Sequence, residues 1–349
     1  MEKRYTNPEG LDPSRKPTLG TVARAAGVSI PTVSQVLRGT GRISEQTRQK
    51  VLEAARQLHY VPNSRAAAIR SGDNHEIGFV INRLGNPFNA EVVGGVVDLL
   101  EAHGYLVSIV GTRDDPARQA RQLEAFIRHG RGGLLWVPAA GTLDETYEML
   151  AAQRIPTVTF LRQTHREFDH VGIRNADATA TATGYLADLG HRNIAYLGGT
   201  DMTIVRKERI EGYKREMSER GLEAEVVWDC EDNKLAGLEA MLELYHTHPR
   251  ITAVVCNGDI VALGASLALT RLGLTPGKEI SIIGFDDIQE SLVSTPPLTT
   301  MAVHPDKLGR KLAKVLLDRI EEPDMPTTVS EIAAELVVRG TTGMPPRKP

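Results

Sequence analysis

Leu19-Gly-Thr-Val-Ala-Arg-Ala-Ala-Gly-Val-Ser-Ile-Pro-Thr-Val-Ser-Gln-Val-Leu-Arg38 sets the fold of the amino-terminal part of the chain. Val22, Ala26, Val28, Val33 and Val36 are spaced to pack two short helices across each other. Ala23 is small where the helices approach, and Gly27 permits the turn between them. The pattern predicts a first helix over 19–26 and a second over 30–38, the latter N-capped by Ser29. Ser44 is placed to cap a third helix, 45–58, whose Val51, Ala54, Ala55 and Leu58 share one face. A helix pair of this kind presents the first turn of its second helix to base edges in the major groove of DNA.

Charge agrees with that reading. The whole chain of 349 residues has a formal net charge of −3. Residues 1–71 nevertheless hold 12 Lys/Arg against 5 Asp/Glu, and the remainder holds 29 against 39. A basic head on an acidic body suits a polyanionic partner. Hydrophobic content of 41% and charged content of 24% are those of an ordinary globular protein, and the length suits two or three domains. No apolar run approaches the ~18 residues of a membrane span. The polar, Pro-containing start lacks the apolar core of a secretion signal. A flexible arm at 1–16 and a cytoplasmic location are expected. Cys230 and Cys256 are expected to be reduced structural thiols.

Pro62 ends the helical head. The alanine-rich 63–72 is a short helix former, too short to be stable alone in water. From 76 onward, strand-like runs at 77–81, 105–110, 133–137, 157–161, 194–197, 226–228, 253–256 and 280–285 alternate with helical stretches. Such alternation predicts parallel sheets with helices on both faces, here in two halves that divide near residue 162. Ligands of open α/β sheets bind outside the carboxyl ends of the strands. Enzymatic readings find no support. There is no Gly-x-Ser-x-Gly elbow, Gly273-Leu-Thr-Pro-Gly277-Lys278 is one residue short of a P-loop, and the ten histidines show no metal-ligand spacing with cysteine. No cofactor or metal is expected.

The segment Thr21 to Leu37, followed by Gly41-Arg-Ile-Ser44 and Tyr60-Val-Pro-Asn63, closely resembles the lac repressor/galactose repressor (LacI/GalR) family. Further motifs continue the resemblance: Asn86-Pro-Phe88, Leu189-Gly-His-Arg192, Arg209-Ile-Glu-Gly-Tyr213, Asp259-Ile-Val-Ala-Leu-Gly-Ala265, Ile283-Gly-Phe-Asp-Asp287, Pro296-Pro-Leu-Thr-Thr300 and Glu335-Leu-Val-Val-Arg339. It implies an all-α three-helix helix-turn-helix head at 17–62 and a hinge helix at 63–72. It also implies an α/β periplasmic-binding-protein-like core at 73–345, made of two Rossmann-like subdomains that the chain crosses three times. The expected N-terminal subdomain is 73–162 plus 294–325, and the C-terminal one 163–293 plus 326–345. The implied function is a DNA-binding transcriptional regulator, a repressor on family grounds, that reads a palindromic operator as a homodimer and answers to a small effector. The tail after Gly340 has no leucine heptads, so the tetramer-forming coiled coil of some relatives is not expected.

The resemblance places Ile30, Pro31 and Gln35 at base-reading positions. Ile30 and Pro31 offer apolar contact, and Gln35, where arginine is more usual, pairs with adenine rather than guanine. Thr21, Ser29, Thr32, Ser34 and Thr47 are positioned to hydrogen-bond DNA phosphates and Arg42 to pair with one. Ser29 serves equally as a helix cap. Arg38 either adds a phosphate contact or favours the helix C-terminus. Asn63, Ala66 and Ile69 fall in the hinge, with Ile69 where relatives wedge a leucine into the minor groove. For the effector the resemblance implies Arg83, Phe88, Arg174, Asn175, Arg209 and Asp286. Arg83 and Arg174 stand where sugar-binding relatives often carry aspartate. Three arginines at 83, 174 and 209 suit an anion such as a sugar acid or sugar phosphate, unless Arg83 neutralises itself on Asp286 or another acid.

Overall fold

The structure is a computed structural model that describes residues 16–62, 74–163, 165, 167–200, 203–224 and 226–346. The expected hinge helix, with Asn63, Ala66 and Ile69, lies outside the described residues, as does the arm before Lys16. The chain divides into two compact units between Asn74 and His75.

In the first unit, α1 (Leu19–Ala26), α2 (Ile30–Leu37) and α3 (Glu45–Gln57) enclose Val22, Val33, Val36 and Val51, all buried. Each helix begins in the same way. The hydroxyl of Thr18, Ser29 or Ser44 accepts the backbone N–H three residues on, from Thr21, Thr32 or Thr47, which satisfies a donor the helix itself leaves unpaired. Gly27 closes α1 at φ +65°, the left-handed conformation that lets the chain reverse into α2.

Among its described residues the second unit holds twelve strands, β1 (Glu76–Ile81), β2 (Leu106–Gly111), β3 (Gly133–Trp136), β4 (Thr157–Phe160), β5 (Asp169–Ile173), β6 (Ile194–Leu197), β7 (Val227–Trp228), β8 (Ala253–Cys256), β9 (Ser281–Asp286), β10 (Thr299–Ala302), β11 (Val329–Ile332) and β12 (Glu335–Val337). They form two six-stranded sheets, ordered β11-β5-β4-β3-β1-β2 and β12-β10-β9-β8-β6-β7. The two orders are the same pattern repeated. Every pairing is parallel except β10 with β12. Parallel strands covered on both faces are apolar throughout, as Ile77–Ile81 and Ala253–Cys256 are. Among the described residues no helix is long and apolar enough to cross a membrane. Cys230 and Cys256 are buried free thiols, and burial pushes that of Cys230 up to about 12.

Each expected subdomain boundary falls one strand too early. β5 pairs with β4 in the first sheet, so the chain first crosses at 173–175 and not at 162–163. β10 pairs with β9 in the second sheet, which moves the second crossing from 293–294 to 302–305. β11 pairs with β5 and moves the third from 325–326 to 332–335. All three strands escaped a reading by apolar runs because they carry polar residues. In β5, Asp169 takes two hydrogen bonds from the Arg319 guanidinium (2.7 and 3.0 Å) and two from Thr328. The His170 ring meets the Thr159 hydroxyl at 2.9 Å, and burial lowers its pKa to about 4.

Helices α4 (Pro87–Ala102), α5 (Pro116–Arg128), α6 (Asp144–Gln153) and α12 (Pro305–Glu321) belong to the first sheet. Helices α7 (Asn175–Asp188), α8 (Ile204–Glu219), α9 (Lys234–Thr247), α10 (Asp259–Arg271) and the short α11 (Gln289–Val293) belong to the second. The pair α9/α10 crosses through glycines. A Cβ on Gly264 would stand 2.2 Å from the Lys234 carbonyl oxygen, and one on Gly237 2.6 Å from that of Val261. Those neighbours are backbone and cannot step aside. Gly264→Ala should therefore destabilise this unit by ~1–3 kcal/mol, read as a melting temperature several degrees lower. An unchanged melt would mean that the crossing is looser than described.

Candidate functional site

Two surfaces carry the residues singled out in the sequence. On the first unit, Ile30 is half exposed, and Pro31 and Gln35 are exposed beside it on α2. Gln35 lies against Gly41, where a Cβ would meet its Oε1 at 3.0 Å. Ser29 and Thr32 share a hydroxyl–hydroxyl hydrogen bond of 2.8 Å, and Ser44 and Thr47 one of 2.9 Å. The Thr21 hydroxyl is spent within its own helix start, donating to the Thr18 carbonyl and accepting from the Thr18 N–H, both at 2.8 Å. Thr18 is thus a helix-start residue that the sequence reading passed over, although the pair Thr18-x-x-Thr21 was there to be read. Ser34 is half-buried, and its carbonyl accepts from Arg38 Nε at 3.2 Å, which favours the helix-terminal role for Arg38. Arg42 is exposed and carries no ion pair among the described residues.

The second surface is a cavity enclosing about 840 Å³, open mouth included, between the carboxyl ends of the two sheets. Its walls come from residues just after strands. Asn82 and Arg83 follow β1, Asp114 follows β2, and Leu161 and Arg162 follow β4. From the second sheet, Gly199 follows β6, Asp232 follows β7, and Asn257 and Gly258 follow β8, while Asp286 ends β9. Phe88, in the first turn of α4, lines the cavity and stacks on Phe160 with ring centroids 6.4 Å apart. Asn89 fixes the β1–α4 turn by donating to Asn82 Oδ1 (3.0 Å) and to the Arg83 carbonyl (2.6 Å).

Arg209, in the cavity wall, is held by three neighbours. Its Nε donates to Asn175 Oδ1 at 2.9 Å, an Nη donates to the Asn257 carbonyl, and the guanidinium lies 3.6 Å from the centroid of the Phe285 ring. Asn175 is buried behind it and anchored to the Ile173 carbonyl and to Glu208, so it positions Arg209 and does not line the cavity. Asp286 is buried at φ +120° and accepts no side-chain hydrogen bond from the described residues. Burial pushes its carboxyl well above the usual range; Arg209 pulls it back, and Asp259 and Asp232 push it further.

Arg174 corrects the sequence reading. It is exposed and absent from the cavity wall, because it sits in the crossing segment where its N–H donates to the Ile332 carbonyl. Arg162 and Arg206, which the sequence reading did not select, line the cavity instead. Arg162 is bound to Asp114, and Arg206 to Asp229 and the Gly198 carbonyl. Arg83 forms no ion pair among the described residues, with Asp286 or any other acid. Reading the residues directly after each strand would have found Asp114, Arg162 and Asn257. Among the described residues no group of His, Cys, Asp and Glu is arranged to hold a metal.

A family model described as bacterial regulatory proteins, lacI family, matches residues 18–63, and one for a periplasmic binding protein-like domain matches 183–342. The maltose regulon regulatory protein MalI of Escherichia coli K12 is 31% identical over 336 residues, 93% of this chain and 98% of that protein. The chain belongs to the LacI family. Its members here are regulators of transcription with a DNA-binding helix-turn-helix and a periplasmic-binding-protein-like core, and not enzymes. The HTH-type transcriptional repressor PurR of Mannheimia succiniciproducens is 30% identical over 326 residues, covering 92% of this chain and 97% of that one. A solved complex of the transcriptional regulator CelR with cellobiose is 27% identical with a TM-score of 0.69, covering 93% and 99%.

Proposed function

We propose that this LacI-family protein is a cytoplasmic repressor that binds a palindromic operator as a homodimer and is controlled by a carbohydrate-like effector carrying an acidic group. The observation that carries the effector reading is the chemistry of the cavity wall. Guanidinium, carboxylate and carboxamide groups alternate around it, with Phe88 as an apolar face. Such a set suits a polyhydroxylated ligand, whose hydroxyls both donate and accept. CelR, solved with cellobiose, and MalI, named for a maltose regulon, support the same class. The acidic group is favoured by Arg83, which lines the cavity and forms no ion pair among the described residues. Repression is supported by the name of the PurR relative.

The DNA reading is supported by the exposed apolar pair Ile30 and Pro31 and by Gln35 on α2. Ser29 and Thr32 at the start of α2, Ser34 within it, and Thr47 at the start of α3 stand ready for phosphates, beside Arg42. Arg38 and Thr21 have alternative partners inside the head and contribute less. Dimerisation follows from the mode of reading, since one head covers only a half-site.

Two outcomes follow. In selection from randomised DNA, Gln35→Arg should change the base preferred at one symmetric pair of positions, from adenine toward guanine, by ~1–3 kcal/mol. Retention of the original preference would remove Gln35 from base reading. In calorimetric titration of the full chain, sugar acids should bind and their neutral counterparts bind at least tenfold more weakly, with Arg83→Gln abolishing the difference. Tight binding of a neutral sugar alone would refute the acidic effector and leave the carbohydrate reading standing.

A further inference from the structure

Asp114 and Arg162 pair with each other within the cavity wall. The two side chains come from the ends of β2 and β4 and meet bidentately, Nη1 to Oδ1 at 2.5 Å and Nη2 to Oδ2 at 3.0 Å. The side chains of Arg162 and Asp114 are only 11% and 8% exposed, and both line the cavity. Burying such a pair is costly unless its remaining valences are met. Arg162 Nη1 meets one more acceptor, the Pro138 carbonyl at 3.0 Å, and Asp114 Oδ1 one more donor, the Ala140 N–H at 3.4 Å. Among the described residues, Arg162 Nε and the second hydrogen of Nη2 find no acceptor, and Asp114 Oδ2 takes only the one bond.

The backbone that presents the pair is strained. Arg113, Asp114 and Leu161 all have positive φ (57°, 60° and 61°), a conformation uncommon for residues other than glycine. Asp286 and Asp287 across the cavity do so too. Strained backbone gathers where a site needs side chains aimed in one direction. Thr112 braces the turn, its buried hydroxyl donating to the Ile81 carbonyl and accepting the Asp114 N–H at 3.1 Å. A pair that only tied the loops after β2, β3 and β4 together would have no need to stand in the cavity wall with donors and an acceptor unspent.

We propose that Asp114 and Arg162 form a preformed fork that holds a hydroxyl of the effector, or two adjacent ones, and determines which stereoisomer the first sheet's wall accepts. A sugar hydroxyl can accept from the unspent guanidinium N–H while donating to the unspent carboxylate lone pair. Inverting the carbon that bears it points the hydroxyl away from one half of the fork and leaves buried polar groups unpaired, which is the costly outcome. Arg209 and Asp286 form the facing guanidinium–carboxylate combination on the second sheet. A ligand held by both reads the two walls at once. This inference rests on the carbohydrate reading, and it names the residues that discriminate among carbohydrates.

The test is calorimetric titration of the full chain with D-glucuronate, D-galacturonate, D-mannuronate, the three parent hexoses, cellobiose and maltose. The tightest binder is then taken through its single-position deoxy analogues. The unaltered chain should distinguish epimers at least tenfold, and one deoxy analogue should lose at least tenfold. In Asp114→Asn and Arg162→Gln the epimer ratio should fall to within threefold of unity, and the penalty for that same deoxy analogue should disappear. Variants that melt lower yet keep the epimer ratio would reduce the pair to a loop tie and overturn the inference alone. So would a deoxy series in which no position costs the unaltered chain more than threefold, a result that needs no variant to fold. Failure of every sugar to bind the unaltered chain would overturn the carbohydrate reading and this inference with it.

Discussion

Strand polarity is the constraint on which the core depends. In a parallel sheet each strand is followed by a loop at the same edge, so whatever follows a strand is delivered to that edge. Two sheets of identical order carry their carboxyl ends to one cavity, and thirteen of its lining residues stand at a strand end or within five residues of it. The three crossings near 174, 303 and 333 run beside one another and join the halves. The last strands, β11 and β12, come from the end of the chain and complete sheets begun far earlier.

The polarity also concentrates charge. Asp259, at the start of α10, is fully buried and accepts from the Thr300 hydroxyl (2.6 Å), the Ser291 hydroxyl (2.6 Å) and the Ile288 N–H (3.1 Å). Burial nevertheless pushes it up to about 7. Gly284 makes room for it, since a Cβ there would lie 2.0 Å from Asp259 Oδ1. One carboxylate thereby joins three motifs that look independent in the sequence, at 259–265, 283–287 and 296–300. His191 does similar work at the opposite end of the second sheet, its ring bonded to Thr252, to Ser281 and to the Gly343 carbonyl. These networks hold the part of the cavity wall formed by Asn257, Gly258 and Asp286. Across the cleft, Glu91 on α4 accepts the Gln289 N–H at the start of α11 (2.9 Å), a direct bond between the two halves.

The helices of the head were legible almost to the residue, because Ser29, Ser44 and Gly27 are local signals that act on their own neighbours. Most strands were legible as apolar runs. β5 and β10 were not, because a buried strand with Asp169 and His170, or with Thr299 and Thr300, is stable only through partners distant in sequence. β11 alternates between exposed and half-buried at a sheet edge and resembles a loop in composition. The same limit governed the site. Arg209, Asp286 and Phe88 carry motifs, whereas nothing local distinguishes Arg162, which lines the cavity, from Arg174, which does not. Arg162 follows β4 and Arg174 follows β5, and only the tertiary path says which of the two faces the cavity.

Control by an effector requires the cavity and the DNA-binding head to belong to one switch. The direct measurement is reciprocal coupling at a single fixed salt concentration, since phosphate contacts make DNA affinity steeply salt-dependent. Operator affinity is measured by fluorescence anisotropy with and without saturating effector, and effector affinity by calorimetry with and without operator. If the two sites are linked, both affinities change by the same factor, about fivefold or more and in the same direction. Effector binding that leaves operator affinity unchanged, with operator likewise leaving effector affinity unchanged, would contradict the account.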